Sequence, residues 1–236
     1  MRPVRLLALP LLAGLVIGAL VWLPVRLLEG LLPPALRCAQ LVGSLWQGQC
    51  VGLSVRGSRS GEVRWVVRMP QLADAALPID VLWSSGSSRL EGRLAVTTDA
   101  RARFDVIQAR ISLQEVRDAL PADISLGALA GVAGELQTTD LTLQLTGGQL
   151  VGVRGEVRLL GTRLLRSAAE LGDFAAEFRD TRGTVRDLGG PLQLRGEVQL
   201  DSGRYVVQAR AEPRSAGMRQ VLAIPTHVDI EVEGRL

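Results

Sequence analysis

The sequence predicts a mainly β protein: one curved, meandering antiparallel sheet, shaped as a groove or half-barrel, with an N-terminal transmembrane helix and one or two short helices. Three observations carry this reading. An uncharged apolar run opens the chain, period-two alternation replaces it after residue 40, and glycines recur inside the alternating segments.

The apolar run comes first. From Leu6 to Val25 the sequence LLALPLLAGLVIGALVWLPV holds no charged residue, and about 20 apolar residues in a helix match a hydrocarbon core of about 30 Å. Arg2, Arg5 and the α-amino group precede it. By the positive-inside bias they hold residues 1–5 in the cytoplasm and send the remainder across. Trp22 suits an interfacial position, while Pro24 and the Leu32-Pro33-Pro34 stretch end the helix beyond the membrane. A cleaved signal peptide is the competing reading, since it too has a basic start and an apolar stretch. In both cases residues from about 26 to 236 form a domain outside the cytoplasm, most simply in a bacterial periplasm.

The alternation comes next. In DLTLQLT, Leu141, Leu143 and Leu145 fall on one face and Thr142 and Gln144 on the other, the pattern of a half-buried strand. Gly147-Gly148 then turns the chain into QLVGVRGEVRLLG, the return strand of a hairpin. SRLEGRLAVTT at 88–98 repeats the pattern, as does the hairpin PLQLRGEVQL-DSG-RYVVQARAEP at 191–213. Gly92, Gly152, Gly155 and Gly196 sit inside strands, where glycine permits bulges and strong bending.

Helix signals are few. SLQEVRDAL, 112–120, has Ser112 as a cap and Pro121 as a stop; LLRSAAELGDF, 164–174, is a second expected helix. PADISLGALAGVAG, 121–134, has no clear period and is a soft internal boundary.

The hairpin AQLVGSLWQGQCVGLSVRG opens the sheet, with its reversal expected at Gln47-Gly48. Trp46 either caps one end of a thin core or anchors a partner, as exposed tryptophans often do. In an oxidising compartment Cys38 and Cys50 are the candidate structural disulfide. A turn at Gln47-Gly48 would set Cys50 opposite Leu45 and leave Cys38 further along, so the pairing stays open.

Composition narrows the chemistry. The chain is 47% hydrophobic but only 3% aromatic, so its core must be built from Leu, Val and Ala. Stacking platforms for single-stranded nucleic acid are scarce, and the formal charge of +3 is not gathered into a patch, which argues against nucleic-acid binding. With no lysine anywhere, a phosphate-binding loop of the Walker type cannot be built. The single histidine, His227, shares a strand face with Asp229 and Glu231. About 13 Å of strand separates His227 from Glu231, too far for one ion. No Ser-His-Asp set, metal spacing or isolated acid appears. The expectation is a membrane-tethered β module without catalysis, metal or cofactor, which works by contact.

With these residues in view, the chain resembles protein N of the bacterial type II secretion system, which exports folded proteins across the outer membrane. The likeness lies in the short tail and single span, in GSLWQG at 43–48 with Gly43, Trp46 and Gly48, and in the strand VRWVVRMP with Trp65. It continues through LGDFAAEF and LGGPLQLRGEVQLDSGRYVVQARAEPR, where Gly190, Pro191, Gly203 and Tyr205 fall. The resemblance implies a bitopic inner-membrane subunit with a periplasmic β domain. Its partners would be other secretion subunits of the inner-membrane platform and the outer-membrane secretin. It also implies a fold related to AsmA-like periplasmic proteins, whose grooves suggest lipid binding or envelope maintenance as the alternative function. The two cysteines are not part of the resemblance.

Overall fold

The computed structural model describes residues 25, 36–69, 76–97, 99–119, 131–201, 204–222 and 226–235. The expected transmembrane helix, residues 6–25, lies almost wholly outside them, as does most of the expected boundary at 121–134. Among the described residues no helix is long and apolar enough to cross a membrane.

Among the described residues thirteen strands form one antiparallel sheet in strict chain order. They are β1 (Leu36–Gly43), β2 (Gln47–Val55), β3 (Ser58–Val67), β4 (Ala76–Ser85), β5 (Ser88–Thr97) and β6 (Arg101–Ser112). After a short helix α1 (Leu113–Ala119) come β7 (Val132–Thr146), β8 (Gln149–Leu164), β9 (Glu170–Asp180), β10 (Arg182–Gly189), β11 (Leu192–Asp201) and β12 (Arg204–Pro213). A second helix α2 (Ala216–Leu222) precedes β13 (Val228–Arg235). The order is linear, so among the described residues β1 and β13 are the two edges of an open sheet.

Alternation sorts the side chains onto two faces. Opposed residues share a face, and on the inner one the register aligns Leu90 with Ala109, Ala109 with Thr138, Leu136 with Leu159 and Leu159 with Phe174. Most inner residues are half-buried rather than buried, because a single-layer sheet has no facing layer. Val106, Ala109 and Val153 are buried along the sheet, and near α2 Leu171, Phe174, Leu192, Ala211 and Met218 form a buried cluster flanked by Leu159, Leu194 and Ile230. At the other end α1 touches β3, β6 and β7 together, so the sheet curls around it.

Curvature has local causes. The ladder slips at Glu91/Gly92 and again between Thr139 and Thr142, across from Gly155, whose φ is +129. A Cβ at Gly155 would lie 2.8 Å from the Asp140 carbonyl oxygen, so only glycine lets the strands approach there.

Two expectations are corrected. Residues 164–174 are not a helix: a turn at 165–167 leads into β9. The Leu and Ala residues favour helix locally, but pairing on both sides with β8 and β10 overrides it. The first hairpin reverses at Ser44–Trp46, with the Ser44 amide donating to the Gln47 carbonyl at 2.8 Å and Gly43 opposite Gly48. Gly43, with φ +109, supplies the bend that Gln47-Gly48 was expected to make. The helix at 112–120 is present as α1, whereas α2 carries no signal recognised in the sequence.

Candidate functional site

The register shift changes the meaning of the first motif. Trp46 sits on the turn, 37% exposed, so it does not cap the core. Half-buried Trp65 pins the turn, its indole Nε1 donating to the Leu45 carbonyl at 3.1 Å. Gly48 lies directly under the ring: a Cβ there would stand 2.5 Å from Trp65 Cζ2. Gly43, Gly48 and Trp65 are therefore one construction, a turn pinned by an indole that needs a bare backbone beneath it. Trp83, not singled out by the sequence, repeats the device by donating to the Ser60 carbonyl at 2.6 Å.

Cys38 and Cys50 are disulfide-bonded, with Cα atoms 5.5 Å apart. In the ladder Cys50 faces Leu41 rather than Leu45, and Cys38 faces Leu53. The bridge is thus diagonal, and it spans the interruption at Ala39 and Gly52, where Gly52 takes φ +67. It staples the β1 edge to β2.

The second motif group forms a corner at the other end. Gly189 and Gly190 both have positive φ, near +120, and a Cβ at Gly190 would meet Gly172 Cα at 2.5 Å. Arg214 closes this corner, donating from its amide to the Pro191 carbonyl at 2.8 Å and from its guanidinium to Gly190 at 3.1 Å and Asp187 at 2.5 Å. Tyr205 lies over Gly234 of β13, leaving no room for a Cβ at that position. Gly203 falls outside the described residues. The predicted residues therefore lie at three separate places rather than in one pocket: Gly43, Trp46, Gly48 and Trp65 at the first hairpin, Gly190 and Pro191 at the β10–β11 corner, and Tyr205 facing Leu200 near the opposite end of β11.

A feature invisible to motif reading covers the outer face. Following the register across β5 to β12, Arg89, Arg110, Arg158, Arg186, Arg195 and Arg210 fall in one cross-strand row, interrupted by Gln137 and Ala175. The adjacent row carries Glu91, Glu156, Glu177, Glu197 and Glu231. Like charges opposite one another repel, and ion pairs between rows offset this: Glu156 holds Arg158 at 2.5 Å and Arg186 at 3.2 Å. Arg158 and then Arg186 draw the Glu156 carboxyl below its ordinary range. Such exposed pairs contribute little each, so their main effect is to keep the outer face hydrated and solvent-compatible.

One carboxylate is built in more firmly. Glu115 of α1 accepts from the amides of Ser87 and Ser88 at 2.7 and 3.0 Å and from the Ser87 hydroxyl at 2.8 Å. Hydrogen bonds from Ser88 and Ser87 pull its pKa down to about 2. Gly86 sits beneath it, where a Cβ would lie 2.5 Å from the carboxylate. The group ties α1 to the β4–β5 turn and is structural.

His227 has Thr226 beside its Nδ1, at 3.3 Å, and is exposed ahead of β13. Among the described residues no group of three His, Cys, Asp or Glu is placed to hold a metal ion.

The comparison with protein families resolves the identity of this sheet. A family model described as type II secretion system protein N matches residues 34–231. The chain belongs to the type II secretion system protein N family. The match begins just before β1 and ends within β13, so it covers the sheet from edge to edge. Membership makes the chain a component of the secretion apparatus, and it implies interaction with other type II secretion components. No curated protein and no solved structure matches.

Proposed function

We propose that the chain is a non-catalytic, single-pass subunit of the inner membrane, its N-terminus cytoplasmic and its β domain periplasmic. There it contacts neighbouring secretion subunits during export of folded proteins across the outer membrane. The observation that carries this reading is the open edge. Among the described residues β1 and β13 each pair on one side only, which leaves backbone donors and acceptors for strand addition. Contact of this kind needs no reactive side chain. The inner-membrane platform and the outer-membrane secretin are the candidate partners. A disulfide agrees with an oxidising compartment, and the apolar run at 6–25 agrees with a tether.

The test is an in-frame deletion assayed for secreted hydrolases in the medium and in the periplasm, together with detergent permeability of the envelope. Hydrolases held in the periplasm of a tight envelope support the reading. Normal secretion with a leaking envelope overturns it.

One observation favours a second reading, lipid binding or envelope maintenance: the inner face is apolar from β3 to β13 and mostly half-buried. Such a lining suits an acyl chain. Mass spectrometry of lipids co-purifying with the protein separates the two, since a stoichiometric lipid is expected only on this second reading.

A further inference from the structure

The two edges are not equivalent, and their difference selects a partner. β1 carries one charged residue, Arg37, within LRCAQLVG. β13 alternates strictly: Val228, Ile230 and Val232 continue the inner face opposite Ala211, Ala209 and Val207. Asp229, Glu231 and Glu233 continue the outer face opposite Arg210, Gln208 and Val206. The arginine row that crosses the outer face thus ends in a carboxylate, and so do the next two rows on one side of it.

We infer that the free edge of β13 receives an extended segment of a partner protein in which basic residues alternate with aliphatic ones. This rests on the strand-addition reading and names the edge and the chemistry of what it takes. An added strand sets one residue opposite each residue of β13. Its outer-face residues meet Asp229, Glu231 and Glu233. Arg210 already pairs with Asp229 at 2.8 Å and Gln208 donates to Glu231 at 3.1 Å, so the charge left uncompensated is that of Glu231 and Glu233, and Lys or Arg is favoured opposite these two. Its inner-face residues meet Val228, Ile230 and Val232 and extend the apolar lining. Backbone hydrogen bonds along β13, about 25 Å of strand, supply affinity, and the carboxylates supply selectivity.

The same charges exclude the simplest alternatives. Two copies paired antiparallel through β13 would oppose carboxylate to carboxylate, which is destabilising. Pairing β13 of one copy with β1 of another would offer those acids Arg37 as the one basic residue of β1. A second copy is therefore the wrong partner. The edge is also preset: Gly234 fits beneath the Tyr205 ring with no space for a side chain, which holds β13 in its register on β12.

The experiment uses the full chain in zwitterionic nanodiscs and a fluorescent synthetic peptide alternating lysine with valine. The controls are the same composition in scrambled order and a peptide alternating glutamate with valine. The alternating lysine peptide should bind and neither control should. Glu231 and Glu233 are exposed, so the double variant Glu231→Lys/Glu233→Lys should fold normally, as circular dichroism will show. It should lose about tenfold in affinity for the lysine peptide and gain affinity for the glutamate peptide. Equal binding of the scrambled peptide, or an unchanged affinity in the double variant, overturns the proposal.

A secretion assay separates this failure from that of the underlying reading. If the β13 variant secretes normally while a folded Gln40→Pro variant of β1 does not, strand addition stands and its assignment to β13 falls. If neither edge matters, both fall.

Discussion

The two ends of the sheet solve one problem by different means. At the β1–β5 end the chain is held by discrete ties: the Cys38–Cys50 disulfide, two tryptophan N–H groups on carbonyls of neighbouring segments, and Glu115 on the β4–β5 turn. At the β9–β13 end it is held by a buried apolar cluster under α2. A single-layer sheet cannot bury its inner face against a second layer. It closes each end separately, by staples where few apolar side chains converge and by packing where a helix covers them. Both devices leave the outermost strand fixed and, among the described residues, open on its far side.

The comparison can be broken most severely at the packed end. Phe174 is 7% exposed within the cluster, and Phe174→Ala should cost about 3–5 kcal/mol, read as a lowered urea midpoint. Removing the disulfide by Cys38→Ser/Cys50→Ser releases a loop with a sequence separation of 12, and should cost about 3 kcal/mol. Dithiothreitol should reproduce that loss in wild type and leave the double variant unchanged. Gly48→Ala drives a methyl into the Trp65 ring and should cost about 1–3 kcal/mol, with a change in tryptophan fluorescence. Trp65→Phe keeps an aromatic ring at the site but removes the indole N–H and its bond to the Leu45 carbonyl, a loss of about 1 kcal/mol from that bond.

Glu115 gives the smallest effect and the most specific signature. Its folded pKa, about 2, lies below the unfolded value, so it stabilises the fold at neutral pH and the contribution fades as pH falls from about 4.5 towards 2. The gap in urea midpoint between wild type and Glu115→Gln should therefore shrink across that window and stay constant above it. A constant gap at all pH values would show that the carboxylate charge does not hold the turn.

Much of this was legible in advance for a local reason. Alternation of Leu141, Leu143 and Leu145 with Thr142 and Gln144 placed β7 and its two faces, and Gly147-Gly148 placed its turn, because side-chain period and turn chemistry act over a few residues. The 164–174 segment misled for the same reason, since its helix-favouring composition says nothing of β8 and β10 waiting on either side. The role of Gly48 was illegible because the Trp65 ring that demands it comes from the neighbouring strand. The arginine and glutamate rows were likewise hidden, as each row takes one residue from each strand and exists only once register is set.

By itself, then, the sequence determined the alternation that marks β5, β7, β8, β11 and β12, the apolar run at the N-terminus, and the resemblance to the protein N family. The tertiary structure alone decided how the strands align, which tryptophan pins the first turn, that Cys38 meets Cys50, and that β13, among the described residues, presents an acidic, open edge. Alternation is set by bonds between neighbours in the chain, whereas register and edges are set by contacts between residues far apart in it.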